Sequence, residues 1–277
     1  MNSLTLSKAV EHALVERNPR NMALVQTALK PGYCQRAAAF LRGITGTVII
    51  GTGFPIKTTF ETDGPAGAMT LYTALKQLGA KPVIACSAPL SNALGKDYEV
   101  LELTIGNTAS ARAEAARNLN SLQPEALVAI ECPGAAADGR YYNMYGQDIT
   151  ARCAHFDPFI AQAACPTIAI GDGGNEIGMG NVGPVLEQLD IRRSVTPCTE
   201  LVVADVSNWG AYALVALLGH WAQRDLLSST DTGSLLRFLC RHGGADGITG
   251  ENTATEDGLD SSEGQQLVDQ LRALTNV

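Results

Sequence analysis

Carboxylates recur in this chain at the points where apolar β-like runs give way to glycine. Three such segments stand out: Glu61-Thr62-Asp63-Gly64-Pro65-Ala66-Gly67, Glu131-Cys132-Pro133-Gly134, and Gly171-Asp172-Gly173-Gly174-Asn175-Glu176-Ile177-Gly178. In open α/β sheets, ligands collect at the carboxyl ends of strands. Glycines there let backbone N–H groups approach a ligand closely. The repetition points to one shared acidic pocket. Its chemistry would be carboxylate acid/base work, or a hard cation acting on a small polar substrate.

Glu176, Asp63 and Glu131 are the candidate proton carriers. Asp172, Glu176 and Asp63 are the candidate metal ligands, and oxygen donors select Mg²⁺ or Mn²⁺, or Ca²⁺, over zinc or copper. Gly173, Gly174 and Asn175 would present loop backbone to a substrate. Lys57, in a Gly/Pro loop, and Arg140, in Asp138-Gly139-Arg140-Tyr141-Tyr142, could each hold a substrate carboxylate. Each residue also has a plainer reading. Asp63 could only cap the following helix, and Asp205 a turn. The long glycine loop could be a tight turn with incidental charges. Lys57 could be a surface lysine, and Arg140 part of an exposed tyrosine-rimmed loop. Cys132 lacks an identifiable partner base. His12, His155, His220 and His242 show no metal-ligand spacing. Residues 51–58 read G-T-G-F-P-I-K-T, but Ile56 replaces the glycine that a phosphate-binding loop needs, which argues against ATP. Glu176→Gln should remove most turnover yet leave the fold intact, by relieving charge repulsion.

The elements that must position these residues alternate. Strands are expected at 47–51, Lys81–Cys86, 98–105, Ala126–Ile130, 167–170 and 200–204. Helices are expected at 4–16, 31–41, 64–79, 110–122, in part of 149–164, at 209–225, Thr232–Arg241 and 262–274. This is an α/β pattern: a mainly parallel sheet covered by helices, with the pocket at the carboxyl ends of its strands. Residues 242–260 read as a loop or flap. No composition shift marks a boundary, so 1–277 is expected to be one domain. Hydrophobic residues make up 45% of the chain, enough for a large core. A net charge of −8 disfavours nucleic acid and anionic membranes as partners. No window is apolar enough for a membrane span. Seven dispersed cysteines read as reduced thiols, hence a cytoplasmic setting. A homo-oligomer is left open.

Taken together, these loops resemble the D-glutamate cyclase C-terminal domain family. Gly51-Thr52-Gly53-Phe54, the three acidic loops, Asp138 to Met144, Ala204-Asp205-Val206-Ser207-Asn208-Trp209-Gly210 and Gly244-Ala245-Asp246-Gly247-Ile248-Thr249-Gly250 occur in the family's order over about residues 20–260. Mitochondrial members join this domain to an N-terminal hydro-lyase-like domain. The 277 residues leave no room for it, so a stand-alone member is expected. The resemblance implies a hydro-lyase that converts D-glutamate, an amino dicarboxylate, to 5-oxo-D-proline and water. An acidic pocket would repel such a substrate, so a divalent cation is expected. A metal-dependent phosphate-ester hydrolase and a non-catalytic small-molecule binding module remain as alternatives.

Overall fold

The apolar runs that end at the acidic loops become neighbouring strands. The computed structural model describes residues 2–106 and 108–276. Its strands, in chain order, are β1 (Thr47–Thr52), β2 (Pro55–Ile56), β3 (Thr59–Phe60), β4 (Lys81–Cys86), β5 (Val100–Glu102), β6 (Ala126–Ile130), β7 (Thr167–Gly171), β8 (Glu200–Val203), β9 (Thr255–Glu256) and β10 (Leu259–Asp260). Six form one sheet in the order β5-β4-β1-β6-β7-β8, and every neighbouring pair is parallel. Numbered among themselves along the chain, these six run 3-2-1-4-5-6, the order of doubly wound sheets. The order reverses between β1 and β6, so a crevice opens there at the carboxyl edge.

The strands read as continuous apolar runs because both sheet faces are covered. Val48, Ile49 and Ile50 are consecutive and all fully buried. Successive side chains point to opposite faces, so neither face meets water. Gly51 belongs in β1 because a Cβ there would stand 2.6 Å from the Phe156 ring, which packs directly on the strand.

The helix Ser207–Ala222 is buried from Ser207 to Gly219. Its sequence is apolar around the whole circumference, as expected of an enclosed helix. It packs against Tyr33–Leu41, Pro65–Gln77, Ser261–Thr275 and the sheet. Gly67 permits one close approach, since a Cβ there would lie 2.8 Å from the Ala211 Cβ, and Gly210 another, since a Cβ there would lie 2.4 Å from Ile170 Cγ2.

Several boundaries differ from expectation. The 98–105 strand contracts to β5, and 149–164 resolves into a short turn at Thr150–Arg152 and the helix Asp157–Gln162. Two antiparallel hairpins, β2–β3 and β9–β10, lie where only loops were expected. Their strands are two residues long, too short to show a period.

Candidate active site

Three of the five loop carboxylates meet at the N-terminus of Ser207–Ala222. Asp63 Oδ2 accepts from the Ser207 N–H at 2.8 Å and Oδ1 from the Asn208 N–H at 2.7 Å. Asp172 Oδ2 accepts from the same Ser207 N–H at 2.9 Å. Glu131 Oε2 accepts from the Ser207 hydroxyl at 2.6 Å. Free N–H groups and the helix dipole make this end a natural place for negative charge. Asp63 therefore caps a helix other than the one it precedes. The helix Pro65–Gln77 is capped in return by Asn208, whose Oδ1 accepts from the Gly64 and Gly67 N–H groups at 2.9 and 2.6 Å. Each helix supplies the side chain that closes the other.

Glu131 adopts φ +47° immediately after β6. A buried non-glycine residue in that region is strained, and such strain persists where surrounding structure fixes it. The constraint comes from both sides: Gly64 approaches so closely that a Cβ there would lie 2.7 Å from the Glu131 Cβ.

The glycine loop after β7 folds around its own acid. Glu176 Oε1 accepts from the Gly173 N–H and Oε2 from the Gly174 N–H, both at 2.7 Å. Asn175 binds the Tyr142 carbonyl at 2.9 Å. The loop joins the Glu131 loop through Gly134 N–H to Asn175 O and Ile177 N–H to Cys132 O, each 2.9 Å. The Gly173 and Gly174 N–H groups are thus directed at Glu176.

Arg20 and the β9–β10 hairpin complete the cluster. Arg20 contacts Asp172 Oδ2 at 2.9 Å, donates to the Asp172 and Asp205 carbonyls, and pairs with Asp257. Burial alone would lower its pKa, but Asp172 and Asp257 outweigh burial and keep it charged. Glu256 accepts from Asn208 Nδ2 at 2.8 Å and Trp209 Nε1 at 2.9 Å. Glu61 packs so tightly on Gly247 that a Cβ there would lie 1.5 Å from Glu61 Oε1.

So many enclosed carboxylates raise one another's affinity for protons. Burial is the largest cause in each case. It pushes Glu61 and Glu131 well up, helped by the charges of Asp257 and Glu176 respectively. Asp172 is also well up, although Arg20 opposes the shift. Asp63 rises to about 6 and Glu256 to about 8, each restrained by the N–H groups it accepts.

The cluster opens onto a cavity of about 370 Å³. Glu131, Asp172, Glu176, Gly173 and Asn175 line it, as do Arg20, Glu61 and Asp257. Asp63 lies fully buried behind them. Lys57 lines the cavity mouth beside Arg152. Arg140 does not line it; it pairs with Asp148 at 3.3 Å among exposed groups. Cys132 is 4% exposed with its thiol pushed well up by burial, a poor setting for a nucleophile.

One oxygen from each of Asp63, Glu131 and Asp172 lies within 4.8 Å of the other two. The donor type and spacing suit Mg²⁺, Mn²⁺ or Ca²⁺. Glu131 thus stands where the sequence suggested Glu176 as third ligand. Arg20, Asp257 and Glu256 carried no sequence signal, because none follows a strand of the sheet.

The family model described as D-glutamate cyclase-like, C-terminal, matches residues 10–272. The human protein named D-glutamate cyclase, mitochondrial, is 35% identical over 199 residues, covering 62% of this chain and 32% of that protein. The chain thus spans about a third of that relative's length. A solved 3-oxoacyl (acyl-carrier-protein) reductase from Agrobacterium tumefaciens with NADP bound shares 12% identity, covering 76% of this chain and 70% of that one, at a TM-score of 0.27, too low to support any argument. By the extent of the family match and the loops that carry it, the chain belongs to the D-glutamate cyclase-like C-terminal family.

Proposed function

We propose that this protein cyclises D-glutamate, or a close amino dicarboxylate, to its five-membered lactam with loss of water. The human relative bears the name of that activity. The observation that carries the reading is the Glu131 carboxyl, which opens on the cavity with its pKa held well up. Lactam formation from a free carboxylate needs a proton on the departing oxygen at neutral pH. A buried carboxyl with raised proton affinity is suited to deliver one.

The proton balance is simple. The substrate ammonium gives one proton to a pocket carboxylate, which passes it to a γ-carboxyl oxygen. The amine nitrogen then forms the C–N bond at the γ-carbon. A second N–H proton reaches the same oxygen by the same route, the C–O bond breaks and water leaves. Two protons leave nitrogen, both depart on water, and the pocket ends as it began. Ring closure is intramolecular, so proximity is supplied once the substrate is folded in the cavity. Glu131 is the proton carrier in this proposal, and burial with the charges of Glu176 and Asp63 raises its proton affinity. Glu176 shapes the loop whose Gly173 and Asn175 wall the cavity, and Lys57 meets a substrate carboxylate at the mouth. Asp63, Glu131 and Asp172 would hold a divalent cation only when ionised, and the cation would then neutralise the γ-carboxylate in place of the proton that Glu131 carries without it. D-glutamate carrying oxygen-18 in both γ positions tests the chemistry: the lactam should retain one label and the water gain the other. Doubly labelled D-glutamate recovered with no labelled water released would mean that the γ-carboxyl oxygen is not expelled.

A further inference from the structure

Lys57 and Arg152 come from separate segments, and both are exposed where they line the same cavity as the buried acids. Lys57 sits in the β2–β3 hairpin turn at φ +48°. Its Nζ donates to the Gly250 carbonyl at 2.6 Å. Gly250, itself at φ +67°, leaves the space: a Cβ there would be 2.8 Å from the lysine Cε. Arg152 ends the short turn Thr150–Arg152 and donates through Nη1 to the Lys57 carbonyl. Among the described residues neither cation forms an ion pair. An ammonium has three N–H donors and a guanidinium five, so both keep donors to spare.

The cavity is therefore polarised, with two unpaired cations at its mouth and a carboxylate cluster at its floor. Arg20, the other cation lining it, is already bound by Asp172 and Asp257. A cyclising amino dicarboxylate has matching asymmetry. Its amine and γ-carboxyl must lie together at the proton carrier. Its α-carboxylate stays outside the forming ring and points away from it.

We propose that Arg152 and Lys57 form a two-cation subsite for the exocyclic α-carboxylate, which sets the orientation of the substrate and restricts it to free α-acids. This rests on the cyclase reading. It assigns Arg152, from outside every acidic loop, a direct role in substrate recognition. The same subsite takes the product, since the ring carboxylate of the lactam is that same group.

The test compares D-glutamate with its α-amide in wild type, Arg152→Gln, Lys57→Met and Arg152→Lys. Charge-assisted hydrogen bonds of this kind correspond to roughly ten- to hundredfold in affinity. Arg152→Gln and Lys57→Met should each raise KM for D-glutamate by about that factor, with kcat changed far less. Neither should alter the weak handling of the α-amide, and Arg152→Lys should recover part of the loss. A general loosening of the mouth would instead impair both substrates alike, and that result would overturn the subsite. Calorimetry with 5-oxo-D-proline gives a readout independent of turnover: wild type should bind it and Arg152→Gln bind it at least tenfold more weakly. An active wild type with unchanged KM in both variants would refute the subsite while sparing the cyclase reading. An inactive wild type that still binds the ring carboxylate through Arg152 would do the reverse.

Discussion

A carboxylate side chain can act on a substrate or shape the backbone around it; in the proposed mechanism Glu131 does the first and Glu176 the second. Glu131 is held at positive φ with one oxygen on Ser207 and faces the cavity. Both Glu176 oxygens receive short N–H bonds from its own loop. From sequence, Glu176→Gln looks harmless to the fold. The hydrogen bonds reverse that expectation, because an amide turns one acceptor into a donor facing an N–H. The change should cost about 1–3 kcal/mol, the range for a buried donor left unpaired. Urea denaturation of the variant, with an unchanged m-value, checks it; an unaltered midpoint would show that the loop does not depend on this acid. The acids were legible in the sequence because each follows an apolar run into glycine. Arg20 was not, since its partner Asp172 lies 152 residues away and only the folded chain brings them together.

Between elements, the crossed caps join the two central helices into one unit. Asn208 bonds Gly64 and Gly67 through Oδ1 and Glu256 through Nδ2. Asn208→Ala leaves the buried Gly67 N–H without its acceptor and removes one of two partners from the Gly64 N–H and from Glu256. A loss of about 3 kcal/mol is expected, larger than a single surface cap provides. Equilibrium denaturation measures it, and a loss below 1 kcal/mol would mean that the caps act independently of one another. The sheet strands were readable because burial on both faces makes them continuous apolar runs. The 242–260 segment reads as a polar loop because β9 and β10 are two residues each, and their pairing depends on contacts to helix residues far along the chain. That segment supplies Asp257 and Glu256 to the cluster, so part of its polarity is buried rather than exposed.

At the level of the whole molecule, the enclosed carboxylates tie stability to pH. A group whose pKa is raised on folding binds protons more tightly in the folded state. The stability it contributes is complete below its unfolded value and is lost as pH rises through its folded value. For Glu256 that window runs from 4.5 to about 8. Stability should therefore fall across it, by up to about 1.4 kcal/mol per pH unit for each such group. Thermal melts from pH 5 to 8.5 should show a declining Tm, with a shallower decline in Glu256→Gln. A Tm that climbs over the same range would contradict the buried-acid picture. The metal proposal adds a second slope. A divalent ion at Asp63, Glu131 and Asp172 requires those groups ionised, so Mn²⁺ should raise Tm more at pH 8 than at pH 5. No shift at either pH would remove the ion from the account.

The central claim is that this acidic cluster performs a dehydrating ring closure. Mass-spectrometric product analysis of purified protein with D-glutamate and, separately, L-glutamate, with and without Mg²⁺ or Mn²⁺ and without ATP, tests it most directly. The account predicts 5-oxo-D-proline from wild type, and at least a hundredfold less from Glu131→Gln, in line with removal of a general acid/base. It would be contradicted by a wild-type protein that forms no 5-oxoproline from either enantiomer under any of these conditions, or by a Glu131→Gln variant as active as wild type.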